Sequence, residues 1–298
     1  MAAAVTVAVI GGTGFTGERV VRLLSERRVP AVVVARASSD TTAAQSLGIP
    51  VRRAELDDST ALSGALAGCE TLIYVASMGF GHVPGVIDAA CRAGVRRAVF
   101  TSTTALLTRL PVRSRPARIA AEDAVRASTL QWTIIRPTMI YGGARDRNMC
   151  RLLRHLSRWR AMPIPGDGSA LQQPVHVDDV AAALVAASNS GAAIGGVYEV
   201  SGLRALTFRQ VVDAAGAAVG ARARCIPVPL RGAIAMAGIA ERIGLRIGIR
   251  AEQLERLAED KAFSHEAAAR DFGFRPRSFE QGIAEEAAEL GFATCSGH

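Results

Sequence analysis

Lysine is almost absent from this chain, although the chain is strongly basic. Its 298 residues include 35 lysines and arginines but a single lysine, Lys261, so the formal net charge of +8 comes from arginine. The arginines are scattered without interleaved aromatic residues, which argues against a nucleic-acid-binding surface. We therefore expect no nucleic acid as a partner, and we expect the positive charge to attract an anionic cofactor and a small-molecule substrate.

Long apolar runs and metal-type cysteine spacings are missing as well. No stretch reaches the roughly 18 uncharged residues of a membrane span, so we expect no transmembrane segment. The N-terminal residues carry no basic cluster and lead directly into a glycine-rich turn, which predicts a first strand and a cytoplasmic location in place of a signal peptide. The scattered cysteines predict reduced thiols and no metal site. They are Cys69, Cys91, Cys150, Cys225 and Cys295.

A glycine-rich turn follows the first apolar run. Residues Val5 to Gly17 read VTVAVIGGTGFTG, and an amphipathic pattern follows them, which predicts a strand, a tight turn and a helix. Glycine permits the backbone angles of such a turn against a pyrophosphate, and the free N–H groups of the helix start attract phosphate. The unit predicts dinucleotide binding, with a turn used only for helix–sheet packing as the alternative. The predicted cofactor contacts in it are Gly11, Thr13, Gly14, Phe15, Thr16 and Gly17.

Strand and helix patterns alternate through the rest of the first half. The predicted strands are Ala31–Ala35, Val51–Ala54, Thr71–Val75, Ala98–Thr101 and Trp132–Ile135. The predicted helices are Thr41–Leu47, Ser59–Ala67, Gly85–Ala93 and Ala117–Ser128. This alternation predicts an α/β fold with a doubly wound parallel sheet, the Rossmann architecture. We expect residues 1–141 to form the dinucleotide-binding core, and residues 142–298 to form a smaller substrate lobe with segments that return to the core.

Ligands of such sheets bind where the strands end, so residues just after the strands are cofactor candidates. Four of them are Ala76, Ser77, Thr101 and Pro137. Arg36 follows the second strand, where NAD-preferring sites place an acidic residue. A guanidinium there suits a 2′-phosphate, which favours NADP(H) over NAD(H), with a solvated arginine as the alternative. Asp57 follows the third strand and is placed to reach the adenine amino group, to cap the next helix, or both.

Several short motifs follow one another in the order and spacing of a known family. Besides GGTGFTG, they are LDDS at Leu56–Ser59, VAS at Val75–Ser77, VFTST at Val99–Thr103, IIRPTMIYG at Ile134–Gly142, VHVDDVA ending at Ala181 and PRSFEQGI at Pro276–Ile283. With these motifs the chain resembles, over nearly its whole length, an extended or atypical short-chain dehydrogenase/reductase of the NAD-dependent epimerase/dehydratase-like group. The resemblance implies an NADP(H)-dependent oxidoreductase or epimerase-like enzyme that acts on a carbonyl or hydroxyl carbon.

The chain departs from that family at the catalytic pair. The family uses a tyrosine followed four residues later by a lysine, together with a serine or threonine, whereas none of the three tyrosines here is followed in that way. Ser114 occupies the tyrosine position and Arg118 the lysine position, so the usual proton transfer is missing. The resemblance implies that Arg118 holds the nicotinamide ribose with a fixed charge, and that Thr103 is the equivalent of the family's serine or threonine.

Two residues are candidate replacements as the proton donor. Tyr141 follows the strand that ends at Pro137, with a structural tyrosine beside the sheet as the alternative. His82 lies in a glycine-rich stretch after the fourth strand, and histidine as a residue type is suited to donating a proton, with a histidine of the loop or helix start as the alternative. The missing catalytic pair also leaves open a second hypothesis, a non-catalytic NADP(H)-binding redox sensor or assembly protein.

The second half is expected to build the substrate side. Arginines share one face of a predicted helix, which is either a solvated face or a docking site for an anionic substrate group. They are Arg147, Arg151, Arg154 and Arg158. Sugar-nucleotide members of the family carry an arginine after GDG. This chain has Gln172 and Gln173 there, which argues against a nucleotide-diphosphate sugar as the substrate.

Three further segments of the second half carry predictions. Asp178 and Asp179 are expected to cap a helix that runs through Ala187, and His176 is expected to organise the fold, with a substrate contact as the alternative. A capping box starting at Thr207 predicts another helix. The apolar, arginine-containing stretch Pro227–Leu257 is expected to cover the substrate, with a homodimer face or a membrane contact as the alternatives.

Overall fold

The computed structural model describes residues 7–110, 112–229, 232 and 257–292. The first residues of the predicted opening strand, most of the segment Pro227–Leu257, and Cys295 lie outside the described residues. Within the described ranges, no helix combines the length and the apolar character needed to cross a bilayer.

Seven parallel strands form the main sheet. They are β1 (Val7–Ile10), β2 (Ala31–Ala35), β3 (Val51–Arg53), β4 (Thr71–Tyr74), β5 (Arg97–Thr101), β6 (Gln131–Pro137) and β11 (Val197–Val200). Their order across the sheet is β11-β6-β5-β4-β1-β2-β3. The remaining strands form three short pairs, namely β7 (Ile140–Tyr141) with β10 (Val175–His176), β8 (Ala161–Pro165) with β13 (Arg224–Val228), and β9 (Leu171–Gln172) with β12 (Leu206–Thr207). The predicted doubly wound parallel sheet is confirmed.

Helices cover both faces of this sheet and form the second lobe. They are α1 (Phe15–Glu26), α2 (Thr42–Ser46), α3 (Ser59–Leu66), α4 (Val83–Arg92), α5 (Arg115–Arg126), α6 (Met149–Arg158), α7 (Val177–Asn189), α8 (Phe208–Ala218), α9 (Glu266–Phe272) and α10 (Phe279–Glu289). One apolar core joins the sheet to α1, α2, α7 and α9, and a second joins the opposite face to α3, α4 and α5. Because both faces are covered, the central strands β1 and β2 are buried along their whole length.

The strand order reverses beside β1, because the chain crosses from β1 to β2 and β3 on one side and to β4, β5 and β6 on the other. Ile10, at the end of β1, pairs with Val34 of β2 and Tyr74 of β4, so these strands end level with one another. Such a reversal opens a crevice beyond the carboxyl ends of the strands, which is where this architecture binds its ligands.

A third apolar core lies in the second half of the chain, between α6, α8 and α10. Two elements of this half return to the main sheet: α7 packs in the core beside α1, and β11 pairs with β6 as the edge strand. The second half is therefore packed on the first through shared layers. The division at residues 141 and 142 stays a prediction.

The helix starts differ in part from those predicted. Thr207 and Gln210 form the expected capping box of α8. The prediction that Asp178 and Asp179 cap α7 is wrong, because the Nδ1 atom of His176 accepts from the N–H of Asp178, and Asp179 binds Arg277 instead. A local pattern cannot reveal this exchange, because Arg277 comes from a segment almost a hundred residues away.

Candidate active site

The glycine turn between β1 and α1 has no room for a side chain at Gly11 or Gly17. A Cβ atom on Gly17 would lie 2.0 Å from the carbonyl oxygen of Gly11, and one on Gly11 would lie 2.6 Å from the backbone nitrogen of Ala76. Gly11 also has a φ of +84°, a conformation that favours glycine. Gly14 precedes α1, and no side chain caps the helix. The first N–H groups of α1 therefore remain available to an anion.

A cavity of about 330 Å³ lies at the carboxyl ends of β4, β5 and β6, beside the start of α1. Seven of the predicted site residues line it, namely Thr16, Ala76, Ser77, Thr101, Thr103, Arg118 and Pro137. Sequence reasoning missed four further lining residues, which are Val75, Ser102, Thr138 and Ile140. All four directly adjoin predicted residues or follow β6, so their position after strand ends was an available signal. We call this space the cofactor cleft.

One buried hydroxyl group of the cofactor cleft lacks a partner. The Oγ1 atom of Thr101 is buried and makes no hydrogen bond to any described residue, whereas the buried hydroxyl of Ser102 interacts with Glu122 and helps to lower the pKa of that carboxyl. A buried polar atom without a partner costs free energy unless a ligand or water supplies the bond. The hydroxyl of Thr101 and the glycine turn together fit a dinucleotide, whose pyrophosphate would lie at the start of α1 and whose nicotinamide end would lie towards Thr101.

Arg118 enters the cofactor cleft from the first turns of α5. Its Nε donates to the hydroxyl of Ser114 at 3.2 Å, and one terminal nitrogen donates to the hydroxyl of Ser77 at 3.4 Å. Its pKa is lowered because burial disfavours the charged form, yet no carboxylate among the described residues pairs with it. Three predicted site residues thus lie together, and a partly buried guanidinium remains free to bind an oxygen-rich ligand.

Thr103 lies directly after β5 in the same cleft. Its Oγ1 atom accepts a hydrogen bond from the N–H of Ala105 at 3.2 Å and so fixes the short helical turn Thr104–Leu106. An oxygen that accepts in this way still carries its own proton. The hydroxyl of Thr103 is therefore oriented and retains a hydrogen to donate to a bound oxygen.

The structure does not bring Tyr141 or His82 to the lining of the cleft. Tyr141 is 1% exposed and packs in the α6–α8–α10 core, with its ring 5.1 Å from that of Phe279 and 5.3 Å from that of His176. Burial and then the charge of Asp179 raise the pKa of Tyr141 above its usual range. His82 is half-buried at the start of α4 and is not among the described residues that line the cavity. These placements favour the structural alternative for each residue.

The loop after β2 is held by residues that sequence reasoning missed. The guanidinium of Arg53 donates to the carbonyl oxygens of Arg36 and Ser39, at 2.7 and 3.0 Å, and Glu55 accepts from the N–H of Ala37 at 2.9 Å. The side chain of Arg36 is exposed and has no acidic partner in the described part of the chain. Its backbone is therefore fixed while its guanidinium is free.

Asp57 does not cap the helix that follows it. The carboxylate of Asp58 accepts from the N–H groups of Thr60 and Ala61 and caps α3. Asp57 is exposed after β3, and a contact with adenine remains its predicted role.

Beneath the cleft, buried charges are paired. Glu122, which is 1% exposed, accepts from Arg136 at 2.9 and 2.6 Å and from Arg126 at 2.7 Å. Burial by itself would raise the pKa of Glu122, but the hydrogen bonds from these guanidinium groups lower it below its ordinary value. Glu122 and Arg136 thus join α5 to β6 and support the strand whose end lines the cleft.

The two glutamines after GDG serve structural roles. The amide of Gln172 donates to the carbonyl oxygens of Leu257 and Glu259, and the amide of Gln173 donates to Ser201 and Gly202. Both side chains are buried. They hold the returning segment at residues 257–263 in place of contacting a substrate.

Three buried groups of the second lobe lie close together. A carboxylate oxygen of Asp146, the Sγ atom of Cys150 and a carboxylate oxygen of Glu286 all lie within 4.8 Å of one another. The thiol of Cys150 donates to Glu286 at 3.2 Å, and Glu286 also accepts from the N–H of Gly142 at 3.0 Å. Burial and the neighbouring charge of Asp146 raise the pKa of Glu286 to about 7. The cysteine spacing could not reveal this cluster, because it joins α10 to the start of α6.

Comparisons with known proteins show the family of this chain. The family described as NAD(P)H-binding matches residues 11–190. Ceramide reductase from Caulobacter vibrioides is 31% identical over 236 residues, covering 75% of this chain and 73% of that protein. The 2-alkyl-3-oxoalkanoate reductase from Stenotrophomonas maltophilia is 28% identical, covering 92% of this chain and 96% of that protein.

A solved structure shows the same fold. A nucleoside-diphosphate-sugar epimerase from Pseudomonas aeruginosa superposes with a TM-score of 0.80 at 18% identity, covering 97% of this chain and 98% of that one. Together with the glycine turn and the cofactor cleft, these findings confirm the resemblance stated from the motifs. The chain belongs to the NAD(P)H-binding family and is an NAD(P)-dependent oxidoreductase or epimerase-like enzyme.

Proposed function

We propose that this protein is an NADPH-dependent reductase that acts on a ketone of an apolar, lipid-like molecule. The observation that carries the proposal is the content of the cofactor cleft: the partnerless hydroxyl of Thr101, the oriented hydroxyl of Thr103, and the guanidinium of Arg118, which has no carboxylate partner among the described residues. A bound nicotinamide supplies the hydride. Every group that the chain itself adds serves to bind and polarise oxygen atoms.

Thr103 and Arg118 have separate roles in this proposal. The hydroxyl of Thr103 donates to the carbonyl oxygen of the substrate, because its lone pair is already engaged by the N–H of Ala105. Arg118, steadied by Ser114 and Ser77, binds the ribose hydroxyls of the cofactor. No side chain that titrates near neutral pH lines the cleft in the described part of the chain, so water supplies the proton.

Apolar side chains near the cleft support a lipid-like substrate. Phe80 is 75% exposed, Leu107 46% and Ile119 45%. Each is within four positions of a cleft residue along the sequence, and exposed apolar side chains grouped near a cleft are typical of a binding site. The names of the two reductase relatives, which specify a ceramide and a 2-alkyl-3-oxoalkanoate, point to the same substrate class.

The proposed preference for NADPH rests on Arg36. Its guanidinium is free, and its backbone is held by Arg53. An Arg36→Asp variant should shift the preference from NADPH towards NADH, measured by the quenching of protein fluorescence on titration with each cofactor. Arg22→Asp, the same charge change on the exposed face of α1, is the matched control. An unchanged preference in Arg36→Asp would mean that Arg36 does not bind the 2′-phosphate.

Turnover tests the reaction itself. We expect the protein to oxidise NADPH with a series of 3-oxo compounds, with a kcat/KM that rises with chain length, and Thr103→Val to lower kcat by about tenfold or more. Thr60→Val, at the exposed start of α3, should leave kcat unchanged. Tight NADPH binding without hydride transfer to any of these ketones would support the non-catalytic sensor or assembly role instead.

A further inference from the structure

A second cavity lies in the C-terminal lobe. It is an open groove of about 500 Å³, lined by Arg160, Ala161, Arg222, Ala223 and Arg224, and it shares no lining residue with the cofactor cleft. The paired strands β8 and β13 form it, with Arg224 opposite Ala161. The N–H of Arg224 donates to the carbonyl oxygen of Arg160 at 2.6 Å, so the groove has a fixed backbone.

The groove gathers guanidinium groups that have no acidic partner. Arg160, Arg222 and Arg224 are exposed, and none forms an ion pair with a described residue. The neighbouring helix α6 adds the exposed arginines Arg151, Arg154 and Arg158, also without ion pairs in the described ranges. Asp213 is an acidic side chain near this surface: burial first, and then the charge of Asp213, raise the pKa of the Cys225 thiol on β13. Among these described residues, six arginines outnumber this carboxylate.

Apolar side chains lie among these arginines. Trp159, between α6 and β8, is 67% exposed, and Ile226 on β13 is 46% exposed. Side chains alternate along a strand, so Arg224 and Ile226 share the outer face of β13, while Cys225 faces the core. A surface that combines unpaired arginines with an exposed tryptophan and isoleucine suits the boundary between water and an apolar phase.

We propose that this arginine face, made of Arg151, Arg154, Arg158, Arg160, Arg222 and Arg224 with Trp159 and Ile226, docks on an anionic phospholipid bilayer. Guanidinium groups bind phosphate in a bidentate manner, and three of them line this groove of about 500 Å³. The indole of Trp159 occupies the interfacial layer, and Ile226 enters the acyl boundary. Single-stranded nucleic acid is disfavoured, because it is held by several stacked aromatic side chains and this face exposes one.

The docking surface lies outside the cofactor cleft, so the proposal stands independently of the proposed reaction. A reductase of lipid-like ketones would gain from it, because its substrate partitions into the bilayer. The two proposals fail separately, since vesicle binding requires neither cofactor nor turnover, and turnover can be measured on a short, water-soluble ketone.

Sedimentation of the full chain with vesicles tests the docking. We expect binding to vesicles of phosphatidylcholine mixed with phosphatidylglycerol, little binding to pure phosphatidylcholine, and release by high salt. Replacing Arg160, Arg222 and Arg224 together by glutamine should lower the partition coefficient about a hundredfold, because each basic residue near such a surface adds about a factor of five. In a Trp132→Phe background, the emission of Trp159 should shift to shorter wavelength on binding.

A matched control distinguishes the face from net charge. Arg22, Arg27 and Arg28 are exposed around the end of α1, form no ion pair with a described residue and offer the same loss of three charges. Their combined replacement by glutamine should leave vesicle binding nearly intact. The proposal is overturned if both triple variants lose binding equally, if pure phosphatidylcholine binds as well, or if the emission of Trp159 does not move. It is also overturned if the wild-type chain does not bind the vesicles and instead binds an RNA stem-loop through this face.

Discussion

The buried polar groups of the cofactor cleft differ from those of the C-terminal lobe in whether the protein itself satisfies them. In the cleft, Thr101 has a hydroxyl without a partner, and Arg118 has no carboxylate partner within the described ranges. In the lobe, Glu286 and Gln173 each make at least two hydrogen bonds inside the protein. The polar groups that the protein leaves unsatisfied in the cleft are therefore available to a ligand, whereas those of Glu286 and Gln173 stabilise the lobe.

The first substitution tests the glycine turn beside the cofactor cleft, and it should have a stronger effect than the changes described below. Gly17→Ala should weaken NADPH binding about a hundredfold or more, equivalent to roughly 3 kcal/mol, because a Cβ atom 2.0 Å from the oxygen of Gly11 must displace the turn. Titration followed by fluorescence measures it. Gly64→Ala in α3, where a Cβ atom meets nothing within 4 Å, should leave binding unchanged and stabilise the helix by about 0.5–1 kcal/mol. Equal losses in the two variants would contradict a role for the turn in binding.

A pair of arginine substitutions separates paired from unpaired charge. Arg136→Met should destabilise the protein by about 3–5 kcal/mol, because it removes the bidentate partner of the buried Glu122. Arg118→Met should change stability little, because removing this guanidinium leaves no buried carboxylate without a partner. It should lower cofactor affinity or turnover by about tenfold or more. Urea unfolding gives the first quantity, and titration and kinetics give the second. A large loss of stability in Arg118→Met would show that Arg118 is structural.

The lobe side of the comparison predicts a pH dependence. Burial raises the pKa of Glu286 from 4.5 to about 7, with Asp146 and Cys150 facing it, so its protonated form is favoured in the folded state. The contribution of Glu286 to the free energy of unfolding is fully present below its unfolded pKa of 4.5, and it is lost as the pH rises through its folded pKa of about 7. Between about pH 5 and pH 8 the wild type should lose on the order of 2 kcal/mol relative to Glu286→Gln. Parallel pH profiles of the two proteins in urea unfolding would contradict a raised pKa of Glu286 in the folded state.

Substitution of Tyr141 should alter turnover and stability less than the changes described above. Tyr141→Phe should leave turnover unchanged and alter stability by no more than about 1 kcal/mol, because the ring keeps its contacts with Phe279 and His176. A fall in kcat with an unchanged KM would instead return Tyr141 to the catalytic machinery and weaken the distinction between cleft and lobe.

Much of the cleft was predictable because its chemistry is local. The turn from Gly11 to Gly17 needs glycines at fixed spacing, and residues such as Ser77 and Thr103 follow strands that the apolar pattern reveals. The missed residue Ser102 lies between two predicted ones. The loop after β2 was predictable only in part. The position of Arg36 follows from the end of the second strand. Arg53, which holds the backbone of Arg36, comes from β3, and its contact could be known only from the pairing of β2 with β3.

The lobe was less predictable because its contacts join distant segments. The assignment of Asp179 as a cap was wrong because Arg277 binds it from almost a hundred residues away. From the sequence, Gln172 and Gln173 argued only against a nucleotide-diphosphate sugar, and their hydrogen bonds to the distant residues Leu257 and Phe263 were not predictable. Glu259 makes a similar link, since it binds the backbone N–H of Arg109, in the loop that follows the cleft residue Thr103.

The amino-acid sequence alone establishes the strand–helix alternation, the glycine turn and the absence of a tyrosine–lysine pair, because these depend on residue type and short spacing. Which polar groups are satisfied depends instead on the tertiary structure. The burial of Tyr141 against Phe279, the unpaired charge of Arg118 and the raised pKa of Glu286 beside Asp146 all depend on elements that meet through the packing of the chain. Burial and partner geometry set the energy of a polar group, and neither is a property of local sequence.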